Sequence, residues 1–166
     1  MTIWVDADAA PGDVKEIVYR AALRLGIPAV LVANRRLATP LNHPHVSAVW
    51  VRGGADVADQ HIAEHAAAGD IAVTADIPLA AILVEKGIVV LDPRGEVFTA
   101  DNVRERLSIR DFMESLRGSG VATGGSAPYG AREKQAFASA LDRALARAGA
   151  RKGPGPAGGV ADRGAT

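Results

Sequence analysis

TIWVDADAAPGDVKEIVYRAALRLGIPAVLVA, residues 2–33, holds the unit on which the fold turns. It opens with TIWV (2–5) and closes with AVLVA (29–33), short runs that are apolar on both faces. Such runs read as strands buried in a parallel sheet. Between them Val14, Ile17, Val18, Ala21, Ala22 and Leu25 share one face of a helix from about Val14 to Leu25. Asp13 with Glu16 forms a variant capping box at its start, and Gly26 followed by Pro28 ends it.

The same rhythm continues outward. AVWV (48–51), IAVT (71–74) and IVVL (88–91) are further strand candidates. Helical patterns lie between them, from about Val57 to Ala68 and from about Pro78 to Lys86, each followed by a glycine. The expectation is an α/β fold in three layers, with a mostly parallel sheet of about five strands and helices on both faces. After Pro93 the pattern changes to two helices, Asp101–Leu107 and Ser108–Arg117. A flexible Gly/Ser loop is expected at 118–128. A last helix at Tyr129–Ala148 carries Phe137, Leu141 and Leu145 on one face, giving a C-terminal helical extension. Residues 1–148 therefore read as one domain, and the Gly/Pro/Ala-rich tail 149–166 as disordered.

Composition bounds the function. Nearly half of the 166 residues are apolar, enough to fill a core. Lys+Arg and Asp+Glu balance at 19 each, so any nucleic-acid site must be a local basic patch. The absence of cysteine excludes disulfides and thiolate metal sites, and fits a cytoplasmic setting. The N-terminus has no basic n-region before an apolar run, so no signal peptide is expected. No stretch approaches the roughly 20 apolar residues of a membrane span.

In an open parallel sheet, ligands bind just beyond the carboxyl ends of the strands. The first strand ends in Val5-Asp6-Ala7-Asp8, the fourth in Thr74-Ala75-Asp76 and the fifth in Asp92. Asp59, near the start of the second helix, can face the same edge. Crowded carboxylates repel and are costly to desolvate, and a divalent cation resolves that conflict. Hard oxygen donors suit Mg²⁺ or Mn²⁺. Singly, most of these acids also have a plain structural reading. Asp76 can cap the third helix, Asp56 the second, and Asp13 or Asp8 the first. Asp59 complements a helix dipole, while Asp70 and Asp92 suit turns. Asp6, abutting a buried strand, has no cap to serve.

Asn34, Arg35 and Arg36 follow the second strand, and Arg94 the fifth, so they are candidates to hold phosphates at that edge. Arg52, Arg104, Arg106 and Arg110 add positive charge nearby, with solvated helix faces as the plain alternative. His61 and His65 are spaced i, i+4, but the block H-I-A-E-H is not the H-E-x-x-H zinc motif. His61, Thr74 and Asp56 are auxiliary candidates. Trp4 and Trp50 read as core residues. No G-x-G-x-x-G follows the first strand and no P-loop is present.

At these positions the chain resembles the bacterial YaiI/YqxD family, which is related to PIN-like nuclease domains. The resemblance rests on VDADAAP (5–11), GGADVADQHI (53–62), GDIAVTADIPLA (69–80), LDPRGEVFT (91–99) and RDFMESLR (110–117), and covers about residues 1–147. It implies an acid after the first strand, matching Asp6 with Asp8. It implies a second in a central helix, matching Asp59, and a third in a T-x-D turn, matching Asp76. The family usually reads DADACP; here position 10 is Ala, which argues against an obligatory thiol role there.

The resulting expectation is a metal-dependent nuclease or phosphodiesterase acting on nucleic acid, RNA before DNA. Asp6, Asp8, Asp59 and Asp76 would hold Mg²⁺ or Mn²⁺. The alternative is a non-catalytic RNA- or protein-binding module of the same PIN-like fold. A phosphatase-like enzyme is disfavoured, because Asp6-Ala7-Asp8 continues Ala9-Ala10 and lacks the D-x-D-x-[TV] signature. No membrane partner is expected, and the sequence is compatible with a homo-oligomer.

Overall fold

The computed structural model describes residues 1–40, 42–120 and 128–149. Most of the expected flexible loop and nearly all of the expected disordered tail fall outside them. The elements in chain order are β1 (Ile3–Asp6), α1 (Gly12–Leu25), β2 (Ala29–Ala33), β3 (Val46–Trp50), α2 (Ala55–His65), β4 (Ile71–Val73), α3 (Ile77–Glu85), β5 (Val89–Leu91), β6 (Val97–Phe98), α4 (Ala100–Gly118) and α5 (Ala131–Arg147).

The strands form one sheet in the order β3-β2-β1-β4-β5-β6. All neighbours run parallel except β6, which pairs antiparallel to β5. Five parallel strands are the ones the apolar runs foretold. At two residues, β6 is too short to leave a periodic signal. Asp92 builds the turn into it, its Oδ1 accepting from the backbone N–H groups of Arg94 (2.9 Å) and Glu96 (2.8 Å).

Helices cover both faces. On one side Val14, Val18, Ala21 and Ala22 of α1 and Phe137, Leu141 and Leu145 of α5 pack on Ile3, Val5, Leu31 and Val73. On the other, Ala58 and Ile62 of α2, Leu79 and Leu83 of α3 and Val103 of α4 pack on Val32, Ala72 and Val90. Phe137 is fully buried at the centre of the first core; truncating such a side chain to Ala costs about 3–5 kcal/mol. No helix among the described residues is long and apolar enough to cross a membrane.

Several local expectations are corrected. Residues 101–117 form a single helix, α4. Ser108, read as the first residue of a second helix, lies inside α4 and turns its hydroxyl back to the Arg104 carbonyl at 3.2 Å. Thr99 caps α4, accepting from Asn102 N while the Asn102 side chain accepts from Thr99 N. Asp13 does not cap α1: the helix begins one residue earlier, behind Pro11, and Asp13 pairs with Lys134 of α5 at 3.5 Å. Nor does Asp56 cap α2, whose N-cap is Gly54; Asp56 lies in the first turn. Trp50 is not core. It ends the edge strand β3 and is 45% exposed.

Asp70 fixes the amino edge of the sheet. It accepts hydrogen bonds from Thr2 N (2.9 Å), Trp4 Nε1 (3.0 Å) and Ala67 N (3.0 Å). Lys86 donates to the carbonyls of Ala63 and Ala66, closing the C-terminus of α2. α2 is thereby held with Asp59, in its second turn, at the carboxyl edge.

Candidate active site: a carboxylate hollow at the sheet edge

β1 and β4 are hydrogen-bonded neighbours at the middle of the sheet, and both end at the same edge. Asp6 is the last residue of β1 and is only 7% exposed. Thr74, just beyond β4, is buried and donates from Oγ1 to Asp6 Oδ2 at 3.0 Å. The same Thr74 oxygen accepts from Asp76 N at 3.0 Å. Asp76 is the N-cap of α3, its Oδ1 accepting from Leu79 N at 2.9 Å. The capping reading of Asp76 is therefore correct, and it leaves Oδ2 outside that bond.

Asp8 sits two residues past β1, where its Oδ2 accepts from Asn34 N at 2.7 Å and its Oδ1 lies 3.6 Å from Arg35 Nε. Asp59 reaches in from α2, as its fifth residue and so from the second turn rather than the first. Asp6, Asp8, Asp59 and Asp76, with Ala9, Asn34 and Ala75, line one hollow of about 320 Å³. Asn34 contributes a buried side-chain Oδ1 that has no hydrogen-bond partner.

The electrostatics follow from the crowding. The Asp59 carboxyl is pushed up to about 7 by burial, then by the charges of Asp76, Asp6 and Asp56. Burial also raises Asp6; the Thr74 hydrogen bond opposes the shift, and the charges of Asp76 and Asp8 add to it. An isolated cap or turn acid would not show this mutual repulsion.

Two further depressions adjoin the hollow through Asp76. One, of about 350 Å³, is lined by Asp56, Asp59, Gln60, Pro78 and Arg110, among others. The other, of about 370 Å³, is lined by Ala75, Asp76 and, along α4, Arg106, Arg110, Met113 and Arg117. Arg106 pairs with Glu96, and Arg110 with Glu114 at 3.4 Å. The arginines of α4 thus flank the acids. Sequence reasoning left Arg106 and Arg110 undecided and missed Arg117. A single continuous α4 was the signal needed, because it puts 106, 110 and 117 at spacings of four and seven on one face.

The expected phosphate-binding residues scatter. Asn34 lines the hollow and Arg35 pairs with Asp8 beside it. Arg36 lies against Trp50, 5.6 Å from the ring centroid. Arg94 faces a neighbouring depression of about 230 Å³ with Asp92 and Tyr129, and lies 3.7 Å from Glu133. Asp92 is thus apart from the hollow. So is His61, whose ring stacks on that of His65 at 4.0 Å beside Trp4. Burial, then the charge of His65, lowers the His61 pKa.

A sequence profile described as "Uncharacterized BCR, YaiI/YqxD family" matches residues 4–147. The chain belongs to the YaiI/YqxD family. A UPF0178 protein of Myxococcus xanthus is 60% identical over 147 residues, spanning 89% of this chain and 95% of that protein. A UPF0178 protein of Xanthomonas campestris is 56% identical over 149 residues, 90% and 92% of the two chains. One from Shewanella sp. strain MR-7 is 54% identical over 145 residues, 87% and 95%. No solved structure matches. The matched span in this YaiI/YqxD chain holds all four acids of the hollow. Ala10, where the family resemblance would place a cysteine, is half-buried against the α1/α5 core. It packs as an apolar residue there, so this member places no thiol beside the hollow.

The chemistry of the donor set fits a hard divalent cation: four carboxylates line the hollow, burial and crowding raise the pKa of Asp6 and Asp59, and an amide oxygen has no partner. Among the described residues no three His, Asp or Glu side chains come together closely enough to hold a metal ion.

Proposed function

We propose that this protein hydrolyses phosphodiester bonds of nucleic acid, RNA first, in a divalent-cation-dependent reaction at the carboxylate hollow. The observation that carries this reading is the meeting of Asp6, Asp8, Asp59 and Asp76 in one hollow with arginines along its flank. Asp6, Asp8, Asp59 and Asp76 would hold Mg²⁺ or Mn²⁺, with Asn34 Oδ1 as an additional oxygen donor. A divalent ion bound there supplies an acidic water and neutralises charge on the scissile phosphate. Thr74 keeps Asp6 and Asp76 in register. Asp59, at about 7 in the metal-free hollow, gives up its proton when it holds the cation, so ion binding there strengthens with pH. Arg106, Arg110 and Arg117 would hold phosphates of the strand, and Arg35, 3.6 Å from Asp8, would meet another.

A second reading, a non-catalytic RNA- or protein-binding module, is favoured by one observation: the acids are not gathered into a three-ligand set among the described residues. A metal-titrated screen on single-stranded RNA and DNA oligonucleotides separates the two. Hydrolysis predicts cleavage with Mn²⁺ that Asp6→Asn or Asp76→Asn removes while the fold persists. Cleavage undiminished in both variants would rule out the hollow as its site. Strand binding without cleavage at any divalent concentration would establish the second reading.

A further inference from the structure

Trp50 ends the edge strand and leaves 45% of its surface in water, where large aromatic side chains are usually covered. The indole is nonetheless held in place. Its Nε1 donates to the Asn34 carbonyl at 3.1 Å, and Asn34 N donates to Asp8 Oδ2 at 2.7 Å. Two hydrogen bonds thus tie an exposed aromatic ring to a carboxylate of the hollow, with only Asn34 between them. The guanidinium groups of Arg52 and Arg36 lie 4.7 and 5.6 Å from the ring centroid. Both arginines are exposed, and each follows the carboxyl end of its own strand, Arg36 after β2 and Arg52 after β3.

We propose that Trp50 is a stacking platform for an unpaired base of a single-stranded polynucleotide whose phosphodiester lies in the carboxylate hollow, with Arg36 and Arg52 meeting the phosphates beside that base. This rests on the nucleic-acid reading of the hollow and specifies its substrate: a flexible strand with accessible bases. A duplex keeps its bases stacked on one another and cannot offer one to the indole. An exposed cation–π contact is weaker than a stacked base, so an incoming base displaces a guanidinium from the ring. The displaced arginine, on its flexible stem, then meets the adjacent phosphate. Stacking is indifferent to base identity, so the platform adds affinity without sequence preference.

The test is fluorescence anisotropy of the full chain with an end-labelled oligouridylate and an abasic strand of equal length and charge. Ca²⁺ is present to neutralise the hollow, and strand integrity is checked on a gel. Wild type is expected to bind the base-bearing strand more tightly than the abasic one, with quenching of tryptophan emission. Trp50→Ala is expected to bind the base-bearing strand about tenfold more weakly. Its affinity for the abasic strand stays unchanged, and Trp50→Phe retains most of the base-dependent affinity. The proposal is overturned if wild type does not bind, if it does not distinguish the two strands, or if Trp50→Ala binds like wild type. It is equally overturned if Trp50→Ala changes only the oligomeric mass, which would make this face a protein contact. Retained affinity in Trp50→Ala together with lost cleavage in Asp6→Asn would remove the platform and leave the hydrolytic reading standing. Weakened binding in Trp50→Ala with no cleavage under any divalent ion would do the reverse.

Discussion

Thr74 donates its hydroxyl to Asp6 across 68 residues of chain, at 3.0 Å, inside the protein. The hydroxyl oxygen also accepts from Asp76 N, so one buried side chain positions two carboxylates contributed by neighbouring strands. Thr74→Val keeps the shape and removes both bonds. It should lower unfolding free energy by about 1–3 kcal/mol, read from urea denaturation, while Thr74→Ser retains most of it. Because the Thr74 bond holds the Asp6 pKa down, the Val variant should also shift Asp6 further upward in an NMR titration. An unchanged Asp6 titration in a folded Val variant would contradict the link.

Asp59 gives the protein a stability that depends on pH. Its pKa is raised from 3.8 to about 7, so the folded state binds this proton more tightly than the unfolded chain does. The resulting stabilisation is complete below the unfolded value and is lost as pH rises through about 7. Asp59→Asn removes the titration. Relative to wild type, the variant should gain in Tm between pH 5 and 8. A parallel pair of Tm-against-pH curves would exclude the effect.

The arginines of α4 should act through charge. Arg110 borders both depressions beside Asp76. If it meets a phosphate, Arg110→Ala should weaken strand binding uniformly across sequences and reduce the slope of log K against log salt by about 1. Arg117→Ala should do the same, whereas Arg24→Ala, which breaks the exposed pair with Asp142 across the α1/α5 surface, should not. Binding isotherms at several salt concentrations decide this.

Gly95 is a packing prediction. Its φ is +89°, and a Cβ there would lie 2.5 Å from the Ala136 carbonyl oxygen and 2.9 Å from Phe137 N. The β5–β6 turn thus presses directly on the backbone of α5, leaving no flexible side chain to yield. Gly95→Ala should cost about 3 kcal/mol or more, from the strained φ and the forced displacement of α5. A Tm within a degree or two of wild type would contradict it.

Much of this was legible in the chain. Continuous apolar runs at 29–33 and 71–73 announced buried parallel strands, and the acids at 6, 8 and 76 followed from strand ends alone. The convergence of Asp59 needed only its place on the helix after the third strand. What escaped was set by contacts between distant residues. Ser108 looks like a helix boundary until its hydroxyl is seen bonding back to Arg104, and without a continuous α4 the alignment of Arg110 and Arg117 cannot be read. Trp50 reads as core because it sits in a strand candidate, yet β3 proves to be the edge of the sheet. Neither strand order nor which side of an edge strand is covered is written in local periodicity.

The separation between β1 and β4 also has a kinetic side. They pair directly, yet two helices and two strands intervene in the chain. Such distant pairing pays its loop-closure entropy before any contact rewards it, and is slow. Asp6 and Thr74 therefore meet only when the crossover has closed. An unfolded chain carries every acid and still lacks the assembled hollow, which forms only with the central strands in place.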